Sequence, residues 1–142
     1  MPTKKQGGEK MNSVDQIKEI LLEYKNIAFA YIFGSFVRNK MTELSDIDIA
    51  IYLYNEEIST EDYLNLKTKL EDKLKKDVDI AILNNASPLL KFEVCREGIL
   101  LFSRDEILES NFKVHTLFEY EDFKKYRDMF YKNMIEKLRK EV

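Results

Sequence analysis

The run Asp46-Ile47-Asp48-Ile49-Ala50-Ile51 alternates acidic and apolar residues before turning wholly apolar. A β-strand sends such alternate side chains to opposite faces, so Asp46 and Asp48 leave one face and the isoleucines the other. On a strand the two carboxylates stand roughly 7 Å apart, and at an effective dielectric near 20 they repel by about 2.4 kcal/mol. Nothing in the stability of a fold calls for that cost, whereas a divalent cation between them turns it into an attraction. A bare Asp-x-Asp also describes a solvated strand face, so the surroundings decide. Ile49, Ala50, Ile51 and Leu53 mark an interior strand. Upstream, the apolar run Ile27 to Phe33 gives way at Gly34-Ser35 to a short helix expected over Ser35 to Arg38, whose first amides suit an anion. A third acid stands in Lys76-Asp77-Val78-Asp79-Ile80-Ala81-Ile82-Leu83. Asp77 shares a strand face with Asp79, but Val78, Ile80 and Ile82 set Asp79 deeper, while Asp77 follows Lys75-Lys76 at the strand entry. Asp79 is therefore the expected third carboxylate.

Gly-Ser, ten residues, then Asp-x-Asp, with a later aspartate strand, resembles the signature of nucleotidyltransferases of the DNA polymerase β type. The short chain is most similar to the minimal (MNT-domain) members, in particular MNT antitoxins paired with HEPN-domain toxins, and the similarity runs from about Ser13 to the C-terminus. Asn39 departs from the pattern, since such proteins often carry Gly after the Arg; Asn is the next most tolerant residue of a left-handed backbone.

The resemblance implies a chemistry. Gly34 and Ser35 would bind the nucleotide, with Arg38 as a triphosphate or partner contact. Asp46, Asp48 and Asp79 would be the catalytic carboxylates, holding two Mg²⁺ ions with ATP as substrate. The implied function is an antitoxin that transfers AMP onto a tyrosine of its cognate HEPN ribonuclease, placing a bulky anion where RNA phosphates sit. Two alternatives stay open: an antitoxin that neutralises by binding alone, and a small-molecule, aminoglycoside-type nucleotidyltransferase. No phosphate loop of the Gly-x4-Gly-Lys-Ser/Thr type and no Gly-x-Gly-x-x-Gly is present to support another nucleotide fold.

With 142 residues, 44% hydrophobic and 12% aromatic, the chain suits one globular domain at 13–142, preceded by a flexible tail at 1–12. A net charge of −3 argues against a general nucleic-acid binder. The lone Cys95 forms no internal disulfide, and no apolar run approaches a membrane span. The protein is expected to be soluble and cytoplasmic, as a homo-oligomer or in complex with the toxin. Cys95 and His115, the single histidine, are read as packing or surface residues.

Strands and helices interleave, so the expected class is α/β (α+β), a nucleotidyltransferase fold with a small mixed sheet of about four strands. Helices are expected from Ser13, over Thr60 to Lys75 behind a Ser59/Asp62 capping box, and from Ser87-Pro88 to a terminal Gly98. Strands are expected at about 27–33, 46–54, 77–83 and 99–103. A capping box at Ser103-Arg104-Asp105-Glu106 opens a final helical segment to Val142, bent or split near 113–121. Its aromatics (Phe118, Tyr120, Phe123, Tyr126, Phe130, Tyr131) are read as packing against the sheet, with a partner surface as the rival reading.

Overall fold

The computed structural model describes residues 5–39 and 45–141. Residues 1–4 of the expected tail and most of the expected 39–45 loop lie outside the described residues. The elements run α1 (Lys5–Leu22), β1 (Ile27–Phe33), β2 (Ile47–Leu53), α2 (Thr60–Leu74), β3 (Val78–Ile82), α3 (Pro88–Glu97), β4 (Ile99–Ser103) and α4 (Glu106–Lys140). The strands form one mixed sheet in the order β3-β2-β1-β4. β1 pairs antiparallel with both β2 and β4, and β2 pairs parallel with β3 through the α2 crossover. The expected mixed α/β class with a long C-terminal helix is the one found.

Period-two alternation divides the core between the two sheet faces. Ile47, Ile49, Ile51, Val78 and Ile80 join Ile17 and Leu21 of α1 and Leu66 and Leu70 of α2 on one side. On the other, Phe29, Tyr31 and Ala50 meet Val94 of α3 and Phe112 of α4. Phe29 stacks on Tyr52 with ring centroids 4.8 Å apart, and Phe112 closes the cluster 5.4 Å from each.

Local chemistry sets the ends. Ser59 Oγ accepts from the Asp62 amide at 3.1 Å and Ser87 Oγ from the Leu90 amide at 3.2 Å, with Pro88 opening α3. Arg104 clamps the α1–β1 turn, donating to the carbonyls of Leu22 (2.6 Å), Tyr24 (3.1 Å) and Ile27 (2.6 Å). Asn84 fixes the end of β2, exchanging 2.9 Å hydrogen bonds with both backbone groups of Leu53.

Four details differ from the sequence reading. α1 begins at Lys5, inside the segment read as a tail. The cap of α4 is Asp105, which accepts from the Leu108 amide at 3.0 Å, rather than Ser103. α4 is one unbroken helix of 35 residues, because 113–121 holds no helix breaker and Phe112 and Thr116 seat that stretch. Gly98 caps α3 with an ordinary φ of −68°; what it supplies is space, since a Cβ there would strike the Val94 carbonyl and lie 3.3 Å from the Tyr31 ring.

Candidate active site

β1 ends at Phe33, which pairs with Asp48 of β2, so the chain leaves the sheet beside that carboxylate. The next residue, Gly34, has φ +75°, a conformation L side chains rarely adopt. A Cβ at Gly34 would fall directly on the Asp48 carboxylate. The glycine is thus required twice, for its backbone angle and for the room it leaves Asp48.

The expected short helix is a single 3-10 turn, Gly34–Phe36. The Val37 and Arg38 amides close it on the Gly34 carbonyl at 3.1 and 3.2 Å. Phe36 is buried and anchors the turn on the α1/α2 side of the core. Asn39 takes φ +57°, the left-handed backbone that Gly supplies in the resembled pattern.

Asp79 is the direct cross-strand partner of Asp48 in the parallel pairing of β3 with β2. Asp46 stands two residues before Asp48, just ahead of β2, and both Asp46 and Asp79 are exposed. Asp48 is half-buried between them. Its carboxyl titrates above the ordinary range, first because burial disfavours the charge, then because Asp79 and Asp46 repel it, with Arg38 partly offsetting them. Asp77 has no such part. Its backbone carbonyl accepts from the Ile47 amide at 3.0 Å, and its side chain is exposed beside Lys75 and Lys76.

Arg38 projects from the turn toward the end of α3. Its Nη2 and Nε both donate to Glu97 Oε2, at 2.7 and 3.0 Å. The pairing raises the guanidinium pKa, with Asp48 adding to it, and holds Glu97 below the usual carboxylate range. Glu97 escaped the sequence reading, because 59 residues separate it from Arg38. Tyr31, also missed, donates to Glu109 Oε2 at 2.7 Å, and Lys113 Nζ lies 2.9 Å from the same oxygen.

Among the described residues no group of three or more His, Cys, Asp or Glu side chains is placed to hold a metal ion. Asp46, Asp48 and Asp79 carry the hard carboxylate oxygens that Mg²⁺ takes, and Asp79 and Asp46 repel the Asp48 carboxylate, which fills the space left by Gly34. His115 is exposed and lines a cavity of about 510 Å³ with Tyr52, Leu83 and Thr116, four residues further along the strands from Asp48 and Asp79. Cys95 is half-buried in the α3/α4 core, where burial pushes its thiol up. Among the described residues no helix is long and apolar enough to cross a membrane.

The polymerase beta nucleotidyltransferase family matches residues 15–107, a stretch containing Gly34, Ser35, Arg38 and all three acids. A Methanocaldococcus jannaschii protein provisionally named a protein adenylyltransferase is 38% identical over 91 residues, covering 61% of this chain and 96% of its own. A crystal structure of a toxin–antitoxin with AMP-PNP contains a chain with TM-score 0.75 and 25% identity, matched over 86% of this chain and 98% of its own. The structure of a tri-AMPylated Shewanella oneidensis HEPN toxin in complex with MNT antitoxin gives TM-score 0.73 at 24% identity, over 89% of this chain and 98% of its own, a likeness of fold. Fold and family match define a nucleotidyltransferase-type domain. The chain belongs to the polymerase beta nucleotidyltransferase family.

Proposed function

We propose that this protein is an antitoxin that transfers AMP from Mg-ATP to a tyrosine hydroxyl of a cognate HEPN ribonuclease. The observation carrying the proposal is the half-buried Asp48 carboxylate, set against Gly34 and repelled by Asp79 and Asp46. In this reading Asp46, Asp48 and Asp79 hold Mg²⁺, which supplies charge neutralisation at the triphosphate. Gly34 lets the backbone approach the phosphates, the Ser35 hydroxyl donates to them, and Arg38 adds a cation from the same turn. Asp79 accepts the proton of the acceptor hydroxyl. The tyrosine oxygen bonds to the α-phosphorus as the bond to pyrophosphate breaks, and pyrophosphate leaves. Support comes from the adenylyltransferase name of the M. jannaschii relative and from the AMP-PNP and toxin–antitoxin contexts of the similar folds. An ATP-consuming enzyme with a ribonuclease partner works in the cytoplasm.

The test mixes the purified protein, ATP labelled in the α-phosphate, Mg²⁺ and the product of the neighbouring gene. Wild type labels that product and an Asp46→Ala/Asp48→Ala variant does not. No label, or equal label from both, rejects the proposal. The exposed apolar face of α4 favours a second reading, neutralisation by binding alone, and an Asp48→Ala variant that still protects cells carrying the toxin would establish it.

A further inference from the structure

The family domain ends near residue 107, while α4 runs on to Lys140. The root of α4 is seated on the domain. Phe112 and Thr116 are buried, Glu119 pairs with Lys91 of α3 at 2.8 Å, and Tyr120 stacks on Phe92 with centroids 3.8 Å apart. Beyond it, every residue from Asp128 to Glu141 is exposed. The expectation that the C-terminal aromatics pack on the sheet fails for Phe118, Tyr126, Phe130 and Tyr131, each at least half exposed: Phe118 lies on the solvent side of the seated root, and the helix leaves the domain before Tyr126, Phe130 and Tyr131 could reach it.

At 100° per residue, Tyr126, Phe130, Tyr131, Met134, Ile135 and Leu138 gather on one half of this arm. Their exposure runs from 41% (Met134) to 73% (Tyr126). Side chains of roughly 150–250 Å² exposed to that degree present on the order of 600 Å², at or above the largest apolar patch of an ordinary monomer and near one side of a standard interface. The arm lies outside the family match at residues 15–107, whereas the chain of the AMP-PNP toxin–antitoxin structure is matched over 86% of this one, more than that domain alone accounts for.

Charge selects the occupant. Between Glu121 and Lys140 seven cationic residues outnumber four acidic ones, in a chain whose net charge is −3. Lys124, Arg127 and Lys137 lie on or beside the apolar half. A second copy paired antiparallel about Phe130 and Tyr131 sets Lys124 against Lys137, and a parallel pair sets each cation against itself. We infer that the arm docks a different protein, the acceptor of the nucleotidyl group, through an apolar helical groove rimmed by Asp and Glu. This rests on the proposed function for the identity of the acceptor and makes α4 the determinant of which protein is modified.

The experiment measures binding of the full chain to the neighbouring gene product by calorimetry, alongside label transfer and the mass of the chain alone by light scattering. Tyr126→Glu/Phe130→Glu/Met134→Glu is expected to weaken binding about 100-fold or more, with ATP affinity unchanged. Lys125→Glu/Lys132→Glu, on the opposite face, is expected to bind as wild type, and Lys124→Glu/Arg127→Glu to bind more weakly with a flatter salt dependence. Wild-type affinity in the triple variant, no binding by wild type, or a dimer of the chain that the triple variant dissolves would each overturn the inference. Binding without label transfer refutes the enzymatic reading and leaves the docking surface standing; transfer without arm-dependent binding does the reverse.

Discussion

Asp48 and Asp79 face each other across the parallel pairing of β2 and β3, and the first of them lies against a glycine whose missing side chain makes room for it. This opposition of like charges is tolerated by the stability of the sheet rather than produced by it.

Replacing Gly34 by Ala tests the cradle. The residue would have to hold φ +75° and displace the Asp48 carboxylate. A loss of about 1–3 kcal/mol in urea unfolding is expected from the strained backbone, and a fall of roughly 100-fold or more in transfer rate from the shifted carboxylate.

Asp48→Asn tests the repulsion. The folded state holds the Asp48 proton more tightly than the unfolded chain, so ionising this residue lowers stability as pH rises from the ordinary 3.8 through the raised value. Without metal at neutral pH, the Asn variant should therefore melt above wild type, by a few degrees, and the difference should vanish as pH falls to the ordinary value. Added Mg²⁺ and nucleotide should raise the melting temperature of wild type and leave that of the variant unmoved. A variant less stable than wild type at neutral pH would contradict the electrostatic account.

Asp77 and Asp79 make a matched pair. Asp79→Asn should lower transfer by roughly 100-fold or more. Asp77→Asn should leave it near wild type, because only the Asp77 main chain takes part in the sheet here.

Arg38→Ala should raise KM for ATP about tenfold. Its ion pair with Glu97 is exposed, so unfolding midpoints of Arg38→Ala and Glu97→Gln should match wild type. If Glu97 positions the guanidinium, Glu97→Gln should raise KM in the same direction and by less.

Tyr31→Phe removes the hydroxyl that donates to Glu109, which is 7% exposed, and leaves that carboxylate to Lys113. A cost of roughly 1–3 kcal/mol in chemical denaturation is expected. It should appear without a change in KM, since this network ties β1 to α4 rather than to the acids.

The strands could be read from the sequence because each is a local pattern. Alternation puts Asp48 on the face opposite Ile47 and Ile49, and Ser87-Pro88 announces a helix start. Asp46 falls just ahead of β2, and Asp79 is exposed as Asp77 is, so what the structure adds is the pairing of Asp79 with Asp48. Asn39 follows from the same kind of argument, and its φ of +57° agrees. Contacts closed by distant residues were not legible: Glu97 beneath Arg38, Arg104 on the carbonyls of Leu22, Tyr24 and Ile27, and Asp105 rather than Ser103 at the head of α4. The aromatics of α4 show the limit most clearly. Helical periodicity says which residues share a face, and only the length of helix beyond its seat on α3 says that the face has left the domain.

The most direct measurement is a crystal structure of the protein with Mn²⁺ and a non-hydrolysable ATP analogue, read at the manganese absorption edge. Anomalous density bounded by Asp48, Asp46 and Asp79, with the triphosphate lying over Gly34 and Ser35, is the predicted result. Manganese bound elsewhere, or a nucleotide seated away from Gly34, would contradict the account.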